Sequence, residues 1–284
     1  MRVLVTGAAG LVGRAVGEHC RSLGDEVLSY QHKDLDITDP DAVRKTILET
    51  RPDVVINCAA WTNVDGCESD PDHAFAANAT GPRNLAAAAK EAGCRFITIS
   101  TDYVFDGRKT GFYTQADEPN PESVYAASKL AGERLSALAN DRSIIVRSGY
   151  IFGRGGTNFL CTVVDRARRG EKMKAINDTF GTPTYANDLA GRLRELAQID
   201  RPGIYHVVNS GAGVSFAEFT NKAIALVGNP AATIESVSAA TLNRPAKRPH
   251  NSRMRCLASE TIGLAPLRDW ESALEDFVKS ELET

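Results

Sequence analysis

The chain has 284 residues and a net charge of -3, from 33 Lys+Arg against 36 Asp+Glu. That balance leaves no basic face for nucleic-acid phosphates, and 43% hydrophobic with 24% charged residues excludes a disordered chain. At about one domain per 150 residues, the length gives one large unit or two unequal ones, with a sizeable core. No eighteen apolar residues run together, and Val3-Leu4-Val5 is too short for a signal-peptide core. Six scattered cysteines and five dispersed histidines show neither pairing rhythm nor zinc spacing. Free thiols in a reducing cytoplasm are the expectation.

In chain order, Val3-Leu4-Val5 predicts a short strand, Leu11 to Leu23 a helix and Glu26 to Tyr30 a second strand. Asp39-Pro40 opens the next helix, with Asp39 as N-cap and Pro40 at the first helical position. Asp53 to Asn57 predicts a third strand, residues 72–92 one long helix, and Arg95 to Ser100 a fourth strand. A helix over Tyr125 to Leu138 and a strand over Ser143 to Arg147 follow. Short continuous apolar runs between helices are what a parallel sheet covered on both faces requires. The expected fold is α/β, a doubly wound parallel sheet of Rossmann type. Beyond Tyr150, glycine-rich turns separate helices over Ala186 to Leu196, Ser215 to Val227 and Asp269 to Leu282, with a strand near Ile204 to Val208. Residues 1–150 are read as a dinucleotide-binding domain open to later segments, and 151–284 as a smaller, mixed α/β substrate-binding region.

Gly7-Ala8-Ala9-Gly10-Leu11-Val12-Gly13 lies at the first strand–helix junction. Its glycines allow a tight turn and close approach of a pyrophosphate, while the helix N-terminus offers amides and partial positive charge. An acid ending the second strand would read a ribose 2′-hydroxyl. Here that stretch is Tyr30-Gln31-His32-Lys33, with acids only later at Asp34 and Asp36. Nothing there repels a 2′-phosphate, so NADPH is favoured over NADH, although His32 and Lys33 also read as a solvated loop.

Tyr125 and Lys129, four apart on a helix, share one face. A phenol with its ordinary pKa of about 10 is a sluggish acid–base group at neutral pH, and a nearby ammonium lowers it. By spacing alone the pair reads more readily as an amphipathic helix with an exposed lysine. Ser100-Thr101-Asp102 sits at the strand edge where open α/β sheets bind ligands.

Glycine loop, strand-end hydroxyl and Tyr-x-x-x-Lys together resemble the extended short-chain dehydrogenase/reductase superfamily, which implies Thr101, Tyr125 and Lys129 as a catalytic triad. Five further blocks resemble, in order, the dTDP-4-dehydrorhamnose reductase family: Ser100 to Gly107, Arg147 to Tyr150, Asn158-Phe159, Asp178 to Thr184 and Arg248 to Ser252. The resemblance implies a cytoplasmic enzyme that reduces the C4 keto group of a dTDP-sugar with NADPH or NADH. Its substrate would be dTDP-4-dehydro-6-deoxy-L-mannose and its product dTDP-L-rhamnose.

Carried over, Gly7, Gly10, Leu11, Val12, Gly13, Asp36, Ile37, Ala59, Ala60 and Thr62 would touch the cofactor, with Tyr125 and Lys129. Thr101, Asp102, Tyr150, Asn158, Arg248 and Asn251 would face the sugar nucleotide. Tyr150 stands where the family more often has tryptophan, and Gly149 where a bulkier residue is usual. Ala15 replaces the glutamate through which some members join subunits by magnesium, so no metal is expected. A homodimer is an open assembly, and neither nucleic acid nor membrane is an expected partner.

Arg244, Lys247, Arg248, Arg253 and Arg255 fall within twelve residues free of acid. They suit a substrate pyrophosphate, or else form a solvated basic loop. Another 4-keto-sugar reductase is one alternative, and three further readings differ in kind. Related 4,6-dehydratases place Asp-Glu after the threonine, where this chain has Asp102-Tyr103. A 4-epimerase usually has a longer chain without the Asp178 to Thr184 pattern. A non-catalytic dinucleotide-binding regulatory subunit would not need the complete triad.

Overall fold

The computed structural model describes residues 1–283. The chain opens with β1 (Arg2–Thr6), α1 (Leu11–Ser22), β2 (Glu26–Tyr30), α2 (Pro40–Thr50) and β3 (Val54–Asn57). Asp39 caps α2 by accepting from the amides of Asp41 and Ala42, ahead of Pro40. Val3, Leu4, Val5, Val54, Val55 and Ile56 are wholly buried, as continuous apolar strands between two helical layers must be. Next come α3 (Val64–Ser69), α4 (Pro71–Phe75), α5 (Gly81–Ala92), β4 (Arg95–Thr101), α6 (Val124–Ala139) and β5 (Ser143–Ser148).

The helix expected over residues 72–92 is interrupted, because Ala76–Thr80 wind as a π-turn between α4 and α5. Buried Asn78 sits in that turn and spends its amide on neighbours. It accepts from the Trp61 amide at 2.8 Å and donates to the Trp61 carbonyl and the Ser128 hydroxyl, both at 3.0 Å. A π-turn inserts a residue into the helical ladder, often near functional sites.

The remainder holds β6 (Ile151–Phe152), α7 (Phe159–Arg168), β7 (Lys172–Ile176), β8 (Phe180–Gly181), β9 (Thr184–Tyr185), α8 (Ala186–Ile199) and β10 (Gly203–His206). Then follow β11 (Val214–Ser215), α9 (Phe216–Val227), β12 (Thr233–Val237), α10 (Ala258–Thr261) and α11 (Trp270–Leu282).

Six parallel strands form the main sheet in the order β10-β5-β4-β3-β1-β2. The order reverses between β1 and β3, and ligands of doubly wound sheets bind at the carboxyl ends beside such a switch. Helices α1 and α8 pack together on one face, and α2, α5 and α6 on the other. The sixth strand, β10, and the covering helix α8 both come from beyond residue 150. A second core gathers Phe152, Met173, Phe219, Trp270 and Phe277 under α7, α9 and α11. The parallel pair β7–β12 flanks it. Among the described residues, no helix is long and apolar enough to cross a membrane.

Candidate active site

The glycine loop is pressed against the end of β3. Gly7 has φ +66°, and a Cβ there would lie 2.6 Å from the Ala59 nitrogen. Helix α1 starts after Gly10 with no side-chain cap and no acid in its first turn. Its amides and positive end therefore remain available, an arrangement that fits a pyrophosphate. A cavity of about 500 Å³ opens beside the loop, and Gly7, Gly10, Asp36, Ile37, Ala59 and Ala60 line it. The Asp36 carboxylate accepts from the Thr38 amide at 2.9 Å and its hydroxyl at 2.8 Å. The Thr38 amide is the main cause holding Asp36 below the usual carboxylate range.

Leu11 and Gly13, also expected at the cofactor, are absent from this cavity's wall. The Leu11 side chain packs against both cores, while its backbone amide belongs to the uncapped first turn of α1. Gly13 lines no cavity; it is the point at which α1 presses on the loop, where a Cβ would lie 2.3 Å from the Gly7 carbonyl oxygen. Trp61 and His73, rings 4.5 Å apart and edge-on, line the far wall. Trp61 falls within the Ala59 to Thr62 segment expected at the cofactor, and no motif pointed to His73.

Cys58, Ala59 and Ala60 lead into a second cavity of about 300 Å³, which Val12 and Thr62 also line. Thr101 reaches it from the end of β4, and Tyr125 and Lys129 from the first turns of α6. Ser123 caps that helix by accepting from the Ala126 amide at 3.2 Å, which places Tyr125 at the cavity. The Lys129 ammonium donates to the Ile99 carbonyl at 2.7 Å. Burial brings its pKa down to about 8, against the opposing charge of Glu133.

Burial pushes the Tyr125 phenol above its ordinary pKa, while hydrogen bonding to Thr101 pulls the other way. The Lys129 ammonium faces the Ile99 carbonyl, and desolvation of the phenolate dominates. The outcome is a neutral phenol, the form that donates a proton.

Asp102 lies beside this pair. Its Oδ1 accepts from the Thr101 hydroxyl at 3.1 Å, while its Oδ2 is buried without a hydrogen-bond partner. Burial raises the carboxyl to about 6, against the pull of the Ser252 and Thr101 hydroxyls. An orphaned buried acceptor in a cavity wall suits a ligand hydroxyl.

After β5 the chain turns at Gly149-Tyr150, and Tyr150 adopts φ +46°, a costly conformation for an aromatic residue. Thr184 pins the turn, its hydroxyl on the Gly149 carbonyl at 2.8 Å and its amide on the Tyr150 carbonyl at 3.1 Å. A Cβ at position 149 would lie 2.3 Å from the Asp102 Cγ, so glycine here makes room for that carboxyl. The Tyr150 ring meets Phe216 at 4.5 Å. Phe216 opens α9 just after a Ser215–Glu218 capping box, and no local signal marked it as a site residue.

Tyr103, Tyr150 and Phe216 also border a third cavity of about 420 Å³, lined by Arg244, Lys247 and Arg248. Asp178 secures the approach to this basic loop by accepting from the Ser238 hydroxyl at 2.5 Å and the Ala239 amide at 2.8 Å. Arg248 already grips Asp65 through two bonds of 3.0 and 2.7 Å. Arg253 and Arg255 face elsewhere, paired with Asn251 and Glu260 respectively. Asn251, expected at the substrate, lines none of these three cavities. Its amide is consumed by the Lys109 and Gly111 carbonyls, both at 2.7 Å. Asn158 lines the cavity that Thr101, Tyr125 and Lys129 reach, while capping α7 through the Cys161 amide.

Shared walls join the three cavities into one trough, running from the glycine loop past Tyr125 to the basic loop. A doubly wound sheet carrying that trough defines an extended short-chain dehydrogenase/reductase. Within this class, the chain belongs to the dTDP-4-dehydrorhamnose reductase family, and the family model described as RmlD substrate binding domain matches residues 1–283. A dTDP-4-dehydrorhamnose reductase of Streptomyces griseus is 38% identical over 281 residues, covering 97% of this chain and 92% of that one. The crystal structure of a dTDP-4-dehydrorhamnose reductase from Clostridium acetobutylicum matches with a TM-score of 0.94 and 36% identity over 100% of both chains. That of a Bacillus anthracis dTDP-4-dehydrorhamnose reductase in complex with NADP has a TM-score of 0.94 and 33% identity. The match covers 100% of this chain and 99% of that one.

Proposed function

We propose that this chain reduces the C4 keto group of dTDP-4-dehydro-6-deoxy-L-mannose with NADPH, forming dTDP-L-rhamnose. The observation that carries this reading is the placement of Thr101, Tyr125 and Lys129 midway along the trough. The names of the relatives and the NADP complex from Bacillus anthracis support it. NADPH held along Gly7, Gly10, Val12, Ala59, Ala60 and Thr62 supplies the hydride for C4. No unpaired carboxylate ends β2, which favours NADPH over NADH.

The chain's own chemistry is proton transfer. Tyr125 gives its phenolic proton to O4 as the carbonyl becomes an alcohol, and Thr101 orients that oxygen. Lys129, one turn along α6, stabilises the phenolate left behind and anchors the nicotinamide ribose. Asp102 Oδ2 accepts a sugar hydroxyl, Tyr150 and Phe216 flank the ring, and Asn158 closes the wall. Arg244 and Lys247 meet the diphosphate, with Arg248 held beside them by Asp65. Residues 1–150, completed by α8 and β10, form the cofactor half, and the rest of 151–284 the substrate half. Homodimerisation belongs to the same reading, and light scattering reads it.

The pH dependence of kcat/KM is expected to be bell-shaped. It falls below about 6 as Asp102 gains a proton, and above about 8 as Lys129 loses one. Asp102→Asn should remove the acid limb, and a limb that persists in that variant would belong to another group. Arg244→Ala is expected to raise the sugar-nucleotide KM about tenfold, the usual scale for a charge-assisted phosphate contact, without changing that for NADPH.

The deciding experiment follows NADPH and NADH consumption with enzymatically prepared dTDP-4-dehydro-6-deoxy-L-mannose, with the product identified by NMR. Oxidation yielding dTDP-L-rhamnose supports the reading and ranks the cofactors. Dinucleotide binding without oxidation removes this substrate.

A further inference from the structure

Behind Tyr125 and Lys129 lies an ion pair that the reaction scheme leaves unused. Glu133 stands four residues beyond Lys129, on the same face of α6. Arg147 stands on β5, two residues before Gly149. Both are 3% exposed. Glu133 Oε1 accepts from the Ser100 hydroxyl at 2.5 Å and from Arg147 Nε at 2.9 Å, and its Oε2 from Arg147 Nη2 at 2.7 Å. The far side of the guanidinium lies against the Phe105 ring, 5.2 Å from its centroid. A buried pair of this kind typically stabilises a fold no better than well-packed apolar residues would. Its position suggests another reason for it. Ser100 precedes Thr101, Arg147 leads into the Gly149-Tyr150 turn, and Glu133 rides on the helix of Tyr125 and Lys129.

We propose that Glu133 is a positioning residue for the reduction: clamped by Arg147 and Ser100, its carboxylate ties α6 to the ends of β4 and β5 and stands behind the Lys129 ammonium. The proposal rests on the reading that Tyr125 and Lys129 perform the proton transfer. Lys129 also holds the Ile99 carbonyl, so the strand end bearing Thr101 is gripped twice from α6.

Besides Glu133 and the Arg147 cation paired with it, four titratable groups stand around Lys129. Cys58, after β3, is a thiol pushed up to about 12 by burial and stays neutral. Tyr125 is raised by burial and stays a phenol. Asp102, after β4, titrates near 6. His206, on β10 near Arg147, is brought down to about 4 by burial and is neutral above that pH. Glu133 is the first influence that opposes the desolvation of Lys129.

The test compares wild type, Glu133→Gln, Glu133→Asp and the double variant Glu133→Gln/Arg147→Gln. Lys129 is followed by NMR of lysine labelled at Cε, its signal assigned with Lys129→Met, alongside kcat against pH. In Glu133→Gln the Lys129 titration should fall by about one pH unit or more, since a carboxylate is lost and an arginine is left unbalanced. The alkaline limb of kcat should move with it, while the sugar-nucleotide KM changes less than about twofold. Glu133→Asp keeps the charge and should hold the titration near its wild-type position.

If Glu133→Gln does not fold with Arg147 stranded, the double variant removes that charge and should titrate between wild type and the single variant. Lys129 titrating at the wild-type pH in every folded Gln variant overturns the proposal. So does a loss of kcat uniform at all pH values. A wild type that leaves the keto sugar untouched defeats the reaction reading, while the NMR titration still judges Glu133.

Discussion

Tyr125→Phe is expected to lower kcat by two to four powers of ten, the scale of a positioned general acid at roughly 10²–10⁴, with NADPH affinity unchanged. The ring would keep its place. It packs edge-on against Tyr103 at 6.1 Å and belongs to a small cluster with Cys67 and Ala74. The Thr101 hydroxyl, losing its contact with the phenol, still donates to Asp102 and accepts from the Tyr103 amide. Folding and the cofactor cleft should therefore survive, and what disappears is the proton aimed at O4. Single-turnover NADPH oxidation measures the chemical step, and fluorescence titration measures cofactor binding. Turnover at the wild-type rate would remove Tyr125 from the reaction. A parallel collapse of NADPH binding would instead make it a structural residue.

How much of this was readable beforehand depends on whether the physics was local. Strands β1, β3, β4 and β5 are buried on both faces, so their short apolar runs announce them without any knowledge of partners. The Asp39-Pro40 start of α2 is equally local, since cap and first turn are neighbours in the chain. The place of β10 is different. A short strand near residue 204 can be read, but its pairing with β5 depends on contacts some sixty residues away. The two-residue pairings β6–β9 and β8–β11 are too short to carry a period. The π-turn at Ala76–Thr80 hides within a helical pattern, because what shapes it is the hold of Asn78 on Trp61 and Ser128.

The site follows the same division. Tyr125 and Lys129 stand one helical turn apart, a spacing that gains meaning only beside the glycine loop and the strand-end Thr101. Their electrostatics are not written in that spacing, since burial set the phenol and only the packed structure shows that the Lys129 ammonium faces a carbonyl. Asn251 sits inside a motif, yet its amide is taken by carbonyls about 140 residues earlier in the chain. Phe216 reaches the cavity beside Tyr125 only through the docking of α9. The basic run from Arg244 to Arg255 reads as one patch, but the fold splits it. Arg244, Lys247 and Arg248 line the trough, while Arg253 and Arg255 are tied to other segments.

Gly13→Ala is expected to weaken NADPH binding by about ten- to a hundredfold, from an overpacking strain of roughly 1–3 kcal/mol. The added methyl would lie 2.3 Å from the Gly7 oxygen, 2.8 Å from its carbonyl carbon and 2.9 Å from the Ala8 Cα. All three are backbone atoms, so no rotamer relieves the contact. The loop cannot retreat either, because Gly7 already lies against Cys58 and Ala59 on its other side. Nor does α1 have room behind it, with Val16 and Cys20 fully buried and α8 packed on the helix. The remaining way out is into the cleft, where the loop amides would lose their aim at a pyrophosphate. Gly10→Ala provides the contrast. Its methyl would approach just the Gly7 oxygen, at 3.2 Å, so the fold should tolerate it while the cleft itself is narrowed. Calorimetric NADPH titration with thermal melts separates the cases. Gly10→Ala should keep its melting temperature and lose affinity, and Gly13→Ala should lose both. An unchanged Kd in Gly13→Ala with a lower melting temperature would mean that α1, not the loop, absorbs the strain. The helix would then yield more easily than its burial implies.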